Sequence, residues 1–159
     1  SFPTRLSSDL TLNGVARHHE PKGPIETVEA VPVTAAEGVQ GDFRGGLVST
    51  KPGCKRQVSL IERESWDAAA AETRCPLEWW NSRCNLLAEV LRLPRKVGAK
   101  LRIGGTLVVE IAGECNPCAR MEALHAGLRA ALLSDWRGGF LVRVIADGEI
   151  AVGDEIRIV

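Results

Sequence analysis

The pattern of apolar and polar positions divides the chain into short segments, most of them rich in β-branched residues. Glycine and proline interrupt these segments often, with 16 Gly and 8 Pro in 159 residues. Short apolar runs bounded by such residues are typical of strands, and two glycines between two runs indicate a hairpin turn. The pattern predicts strands over residues 25–33, 56–61, 101–103, 107–112, 140–145 and 155–159, with the hairpin turn at Gly104-Gly105.

Two segments have helical spacing instead. Residues 62–72 are rich in alanine, and residues 123–133 repeat leucine at every fourth position. The strands are not separated by regular helices, which disfavours a doubly wound α/β sheet. We therefore predict a mainly β (α+β) fold, a barrel-like core with two or three peripheral helices, in one domain over residues 1–159.

Composition and charge exclude several classes of function. Twenty basic and twenty acidic residues cancel, so no overall field attracts nucleic acid or an anionic membrane. No apolar run approaches the roughly 18 residues that cross a bilayer, and the N-terminus has no secretory pattern. Five cysteines favour free thiols in a reducing compartment. We expect a cytoplasmic protein that binds neither nucleic acid nor membrane.

Residues 41–46 (Gly-Asp-Phe-Arg-Gly-Gly) form the first cluster of candidate functional residues. Glycines on both sides of a charged pair allow close backbone approach, as a loop that holds an anion requires. The alternative is a tight turn in which Asp42 bonds to the nearby backbone. Taken alone, this cluster favours the turn.

Residues 114–121 (Glu-Cys-Asn-Pro-Cys-Ala-Arg-Met) form the second cluster, between a predicted strand and a predicted helix. A thiol at a helix N-terminus close to Arg120 is expected to have a lowered pKa. The pair Cys115 and Cys118 is compatible with half of a zinc site, a redox dithiol or one functional cysteine beside a spare one. Two small buried apolar residues are the alternative without function.

Residues 135–139 (Asp-Trp-Arg-Gly-Gly) form the third cluster. The glycines also suit a helix stop, with Arg137 exposed to solvent. Together with Arg56, Arg83 and Arg120, however, Arg137 belongs to a set of arginines near glycines or near the thiols. Guanidinium groups match phosphate oxygens, so this pattern favours a phosphate-bearing cofactor.

In this order, the three clusters and four further motifs resemble the MOSC family, named for the C-terminal domain of molybdenum cofactor sulfurase. The compact chain is similar to the stand-alone bacterial members, and related domains form the C-terminal part of the mitochondrial amidoxime-reducing enzymes. The resemblance covers nearly the whole chain, with matching motifs at residues 41–46, 56–64, 85–87, 101–104, 117–121, 137–139 and 148–154.

The resemblance implies a mainly β, barrel-like domain and a role for one cysteine. That cysteine, Cys118, would either ligate molybdenum in the pterin cofactor (molybdopterin) or carry sulfur as a persulfide. Carried over to this sequence, the cofactor-binding positions are Arg56, Arg83, Asn85, Arg120, Arg137, Gly138, Asp42 and Arg44.

Two positions depart from the family pattern. Many members have His where this chain has Arg44, and arginine cannot act as a general base at neutral pH. Cys84 precedes Asn85 and, together with Cys115, introduces a candidate resolving cysteine for Cys118. We interpret His18 and His19 as solvent-exposed residues of a polar stretch.

Three functions follow as expectations. The first is a molybdenum-dependent reductase of N-hydroxylated small molecules, supplied with electrons by an external flavin or iron–sulfur protein because the chain lacks their fingerprints. The second is a sulfur carrier in which Cys118 receives sulfur from a cysteine desulfurase protein and passes it to an acceptor. The third is a non-catalytic module that binds a pterin or another phosphorylated ligand.

Overall fold

The structure is a computed structural model that describes residues 10–47, 55–89 and 92–159. These residues form four α-helices, α1 (Phe43–Leu47), α2 (Arg63–Thr73), α3 (Ala119–Leu124) and α4 (Leu128–Leu133), and a 3-10 helix at Trp79–Ser82. They also form eleven strands, which are β1 (Thr11–Arg17), β2 (Glu26–Val28), β3 (Ala30–Thr34), β4 (Gly38–Val39), β5 (Val58–Glu62), β6 (Leu86–Glu89), β7 (Lys100–Ile103), β8 (Leu107–Glu114), β9 (Phe140–Ala146), β10 (Gly148–Ala151) and β11 (Ile156–Ile158).

The strands form a large sheet and a small one. The large sheet has eight strands in the order β11-β7-β8-β9-β5-β6-β1-β2, and the small sheet has the order β10-β3-β4. The pair β5 and β6 is parallel, and the other pairs of described strands are antiparallel. A parallel pair needs a crossover connection, and α2 lies in that connection. The mainly β prediction is confirmed.

The sheets are not closed into a barrel. The large sheet curves until its β11 side meets the start of β1, where the Leu12 amide donates to the Asp154 carbonyl at 2.8 Å and Ile156 donates to Leu10 at 2.8 Å. Only one isolated bridge, between Thr11 and Glu155, joins these two segments among the described residues. The remaining length of β1 pairs with β2 instead, so the ladder of a closed barrel does not form.

Strands β5 and β6 are buried on both faces. Leu60 and Leu86 belong to the main core cluster, which contains residues of both sheets. Ile61 and Leu87 belong to a second cluster, which contains residues of the helices. All five residues of β5 are buried, as expected for a strand that is covered on both sides. The helices contribute apolar side chains to the second cluster from Trp66, Ala69, Met121, Leu128 and Leu132.

Several predicted elements are correct in type but differ in extent. The predicted hairpin is present as β7 and β8, in which the pairing runs from Lys100 opposite Glu110 to Ile103 opposite Leu107. The predicted strand over residues 25–33 is two strands in different sheets, β2 and β3, separated at Glu29. The predicted helix over residues 123–133 is α3 and α4, because Gly127 takes a left-handed conformation with φ of 85°. No helix among the described residues is long and apolar enough to span a membrane.

Strand β1 was not predicted, because Asn13 and Gly14 interrupt its apolar pattern. The structure explains the glycine: a Cβ atom at Gly14 would lie 2.6 Å from a ring carbon of Trp79. Glycine is therefore needed at this position, because the buried indole packs directly on the strand backbone. Tertiary packing, which the local pattern does not record, determines this element.

A buried ion pair fixes the end of β5. The Glu62 carboxylate accepts hydrogen bonds from the Ser65 hydroxyl at 2.9 Å, the Leu93 amide at 2.7 Å and the Arg95 Nη2 atom at 2.7 Å. The side chains of Glu62 and Arg95 are 4% and 11% exposed, and the guanidinium also lies over the Phe140 ring at 5.3 Å. The pair thus ties the segment after β6 to β5 and β9.

We predict that Glu62→Gln lowers the free energy of unfolding by about 3 kcal/mol, because the buried Arg95 guanidinium loses its buried partner and keeps the exposed Asp135 carboxylate, 3.7 Å away. Urea unfolding followed by circular dichroism measures this change. The control is Glu89→Gln, which removes an exposed carboxylate that accepts one hydrogen bond from Asn13. Equal stability losses in the two variants would contradict the importance of the buried pair.

Candidate functional site

A pocket of about 360 Å³ lies where several strand ends meet. Its lining comes from residues that follow β1 and β8, from residues that precede β5, β6 and β9, and from the helices α1, α3 and α4. This volume lies within the range of small-molecule sites. The lining residues are His18, Pro21, Lys22, Phe43, Arg44, Arg56, Ser82, Arg83, Cys115, Asn116, Pro117, Cys118, Arg120, Met121, Leu132 and Gly138.

Cys118 is the exposed thiol of this pocket. It is the residue before α3, with an extended backbone (φ of −101°, ψ of 177°), and its carbonyl accepts a hydrogen bond from the Met121 amide at 3.0 Å. Its side chain makes no capping bond to the helix, and Pro117 beside it is buried. The buried proline and the short helix hold the residue in place while its sulfur stays available to a ligand.

Four arginines surround the same pocket. Arg44, Arg56, Arg83 and Arg120 all line it, and the lining contains no Asp or Glu among the described residues. The pKa of Arg83 is lowered because the group is partly buried and because Arg120, Arg44 and Arg56 repel its charge, while Asp42 partly opposes the effect. The pocket is therefore strongly cationic although the chain as a whole is neutral.

Among the described residues, these guanidinium groups have no carboxylate in an ion pair with them. Within residues 10–47, 55–89 and 92–159, none of the four forms an ion pair with a carboxylate. The Nε atom of Arg56 is buried without any hydrogen-bond partner, and Arg83 uses its Nη2 atom on the Gly23 carbonyl at 2.9 Å. Arg83 also has a φ of 66°, an uncommon conformation outside glycine that is concentrated at functional sites.

A second thiol of the pocket, Cys115, has a strongly altered acidity. Its pKa is lowered to about 6, chiefly because Cys84 donates a hydrogen bond to its sulfur and then because Arg56 attracts the thiolate, against the effect of burial. The Arg56 Nη1 atom lies 3.6 Å from the Cys115 sulfur. The pKa of Cys84 is raised well above its usual value for the complementary reason, since it supplies the hydrogen bond and is buried.

His18 is part of the pocket, contrary to the prediction of a solvent-exposed residue. It is buried (5% exposed), and its Nδ1 atom lies 3.4 Å from the Asp42 carboxylate. Burial lowers its pKa, as do Arg83, Arg44 and Arg56, while Asp42 opposes them. The imidazole is thus neutral at neutral pH. No local sequence signal relates His18 to Asp42, because the pairing arises only when the loop before α1 folds against the end of β1.

The Gly-Asp cluster is a turn that positions this histidine. Asp42 is buried and does not line the pocket; its carboxylate accepts from the His18 amide at 3.1 Å and from the Arg44 amide at 3.2 Å. The second bond is the local side-chain-to-backbone bond expected of a turn. Of the predicted binding positions here, the structure brings Arg44 to the pocket and leaves Asp42 behind it.

Two further predicted binding residues lie elsewhere. Arg137 does not line the pocket, because its guanidinium pairs with Glu72 at 2.9 Å and donates to the Ala131 carbonyl at 3.1 Å, linking α2 to α4. Asn85 is buried, accepts from the Ser59 amide at 3.1 Å and donates to the Ala16 carbonyl at 3.1 Å. Asn85 therefore joins β5 to β1 and does not contact the pocket.

Gly138, by contrast, is in the pocket lining. A Cβ atom at Gly138 would lie 2.4 Å from the Cys115 carbonyl oxygen, and one at Gly139 would lie 2.5 Å from the Leu60 carbonyl oxygen. Gly139 also has a φ of 112°. The two glycines let the start of β9 pass directly between β5 and the cysteine segment. Their role in the structure is close backbone approach.

The thiols of Cys75, Cys84, Cys115 and Cys118 are free, and Cys54 lies outside the described residues. Among the part of the chain that the structure describes, no three His, Cys, Asp or Glu side chains are placed to hold a metal ion. Cys118 offers a single exposed sulfur, in the same pocket lining as cations that suit the anionic part of a larger ligand.

Comparison with known proteins agrees with this architecture. The family model of the MOSC domain matches residues 35–157. No curated protein matches the chain. Among solved structures, the YuaD protein from Bacillus subtilis is similar, with a TM-score of 0.73 and 17% identity over 92% of this chain and 94% of that one.

Two further solved structures are similar. YiiM from Escherichia coli has a TM-score of 0.65 and 16% identity, covering 94% of this chain and 69% of that one. YiiM from Geobacillus stearothermophilus has a TM-score of 0.63 and 16% identity, covering 96% of this chain and 74% of that one. At these identities the comparisons show a shared fold.

The acidity of Cys115 gives a testable prediction. In a Cys118→Ser protein, the thiolate absorbance should appear as the pH rises through about 6, and Arg56→Gln in that background should move the midpoint upward because a stabilising cation is lost. Ultraviolet absorbance against pH measures this midpoint. Arg137→Gln, which removes an arginine outside the pocket, should leave it in place; an unmoved midpoint in Arg56→Gln would contradict the assignment.

Proposed function

Because the chain belongs to the MOSC domain family, whose model covers residues 35–157, we propose that its pocket binds a molybdenum pterin cofactor. Cys118 supplies the thiolate ligand to the metal in this proposal. The arginines of the pocket hold the phosphate and the other anionic parts of the cofactor. The protein then reduces a small N-hydroxylated substrate with electrons from an external protein.

One observation supports this proposal above the others: an exposed thiol shares a pocket with four guanidinium groups that have no carboxylate partner in the described chain. Unpaired cations are costly to bring together unless an anion joins them. The unpartnered, buried Nε atom of Arg56 is the kind of donor that a phosphate oxygen satisfies. The residues present therefore fit an anionic cofactor that brings the metal with it.

The chain's own residues have distinct tasks in this proposal. Arg83 and Arg120 bind the phosphate, and the neutral His18 imidazole, held by Asp42, donates or accepts a proton at the substrate. When bound, the cofactor supplies two-electron chemistry at molybdenum. A flavin or iron–sulfur protein is the required partner, and a reducing cytoplasm is the compartment that suits four free thiols.

A second function, a sulfur carrier, is favoured by the presence of another thiol in the same pocket. In this alternative Cys118 holds a persulfide, received from a cysteine desulfurase protein, and passes the sulfur to an acceptor. Cys115, which also lines the pocket, is a second thiol within the same cavity. The two functions differ in what the purified protein carries. The reductase carries molybdenum and pterin, whereas the sulfur carrier carries one reducible sulfur atom.

We predict that the protein purified from a host that makes the cofactor contains molybdenum and pterin, and that Cys118→Ser loses both. Native mass spectrometry with elemental analysis measures each. The control is Cys75→Ser, which removes a buried thiol outside the pocket. A metal-free wild-type protein with one reductant-labile sulfur on Cys118 would establish the carrier instead, and cofactor retained by Cys118→Ser would overturn the ligand assignment.

The cationic pocket should also bind a simple anion. We expect pyrophosphate to bind and Arg120→Gln to weaken this binding by roughly tenfold, because one charge-assisted hydrogen bond is lost. Isothermal titration calorimetry measures the affinity, with Arg129→Gln, an exposed arginine of α4 outside the pocket, as the matched control. Equal pyrophosphate affinities in the two variants would show that Arg120 does not bind the phosphate.

A further inference from the structure

Two cysteines, Cys84 and Cys115, pack against the Gly138-Gly139 segment beside the pocket. The Cys84 sulfur lies 3.9 Å from the Gly138 carbonyl oxygen, and the Cys115 amide donates to the Gly139 carbonyl at 2.8 Å. The Arg56 Nη1 atom lies 3.6 Å from the Cys115 sulfur, and the two thiols interact strongly enough to shift the pKa of each. Two neighbouring thiols beside a cation are placed for thiol–disulfide exchange.

The position of the pair distinguishes it from ordinary buried cysteines. Cys115 lines the pocket although it is only 8% exposed, whereas Cys84 lies behind it and is 2% exposed. Cys115 is therefore the residue of the pair that a ligand in the pocket meets, and Cys84 is the buried one. Cys75 gives an internal comparison: it is equally buried but is outside the pocket lining.

We propose that Cys115 and Cys84 form a redox dithiol that reduces an anionic, low-molecular-weight disulfide bound in the pocket. Cys115 is the attacking thiol and Cys84 is the resolving thiol. This activity goes beyond the proposed cofactor function, since neither sulfur is the cofactor ligand, and it belongs to the protein whose pocket holds no cofactor. The arginines that suit a phosphate also suit a disulfide that carries carboxylates, because both are anions.

The reaction balances in two exchanges. The Cys115 thiolate attacks one sulfur of the bound disulfide, a Cys115–ligand disulfide forms, the ligand S–S bond breaks, and one ligand thiolate leaves. Cys84 then attacks the Cys115 sulfur, the Cys84–Cys115 disulfide forms, and the second ligand thiolate leaves. The protons of the two cysteines end on the two ligand thiols, so two electrons pass from the dithiol to the disulfide.

The test uses oxidised glutathione, an anionic disulfide, on the Cys118→Ser protein. We expect the protein to lose the mass of two hydrogen atoms and tryptic peptides 84–92 and 103–120 to become linked, since these peptides contain Cys84 and Cys115. Peptide mass spectrometry without reductant identifies the link. A link that involves any other cysteine, or no reaction of Cys115, would overturn the proposal.

A second variant separates attack from resolution. Adding Cys84→Ser should stop the reaction at a stable glutathione adduct on Cys115, whereas adding Cys75→Ser should still give the Cys84–Cys115 link. An equally stable adduct in the protein that retains Cys84 would show that Cys84 does not resolve it and would overturn the proposal. If Cys84→Ser fails to fold, as circular dichroism would reveal, the peptide link in the Cys118→Ser protein alone decides the outcome.

Discussion

The close approach of the Gly138-Gly139 segment to two other backbones determines where the pocket lies. A side chain at either glycine would collide with a carbonyl oxygen, that of Cys115 or that of Leu60. The Cys115 amide also donates to the Gly139 carbonyl at 2.8 Å. Because this junction sets β5, β9 and the cysteine segment against one another, Cys84, Cys115 and the start of α3 take their positions from it.

The junction also explains the electrostatics of the site. Three elements that meet there each bring a guanidinium to the same cavity, Arg56 before β5, Arg83 before β6 and Arg120 at the start of α3. The nearby carboxylates do not neutralise these arginines, because Glu62 forms an ion pair with Arg95 and Glu72 forms one with Arg137. The pocket is left with positive charge that Asp42 and the Cys115 thiolate offset in part and that a bound anion would offset further.

Local patterns predicted the local parts of the fold. The β7–β8 hairpin and α2 depend on contacts between near neighbours in sequence, and both were predicted with small errors in extent. Strand β1 was not predicted because Gly14, which makes room for Trp79, interrupts its apolar pattern. The break before α4 was not predicted because the leucine spacing continues across Gly127. The predicted barrel-like core does not close into a barrel, which local patterns could not show because closure depends on how far one sheet curves.

The sequence indicated the kinds of residue in the candidate site better than it indicated which of those residues meet in the pocket. The family resemblance indicated Cys118 and the arginines, and the structure brings Arg44, Arg56, Arg83 and Arg120 into one pocket with Cys118. The resemblance could not reveal the lowered pKa of Cys115, because the responsible contact with Cys84 is made only in the folded chain. For the same reason, the sequence did not indicate that His18 lies in the pocket or that Arg137 forms a structural ion pair.

The most direct test of the central claim is anomalous diffraction at the molybdenum edge, on crystals of the protein from a host that makes the cofactor. The account predicts one molybdenum peak at bonding distance from the Cys118 sulfur, with phosphate density against Arg83 and Arg120. A pocket without molybdenum, or a peak bonded to Cys115 instead, would contradict it.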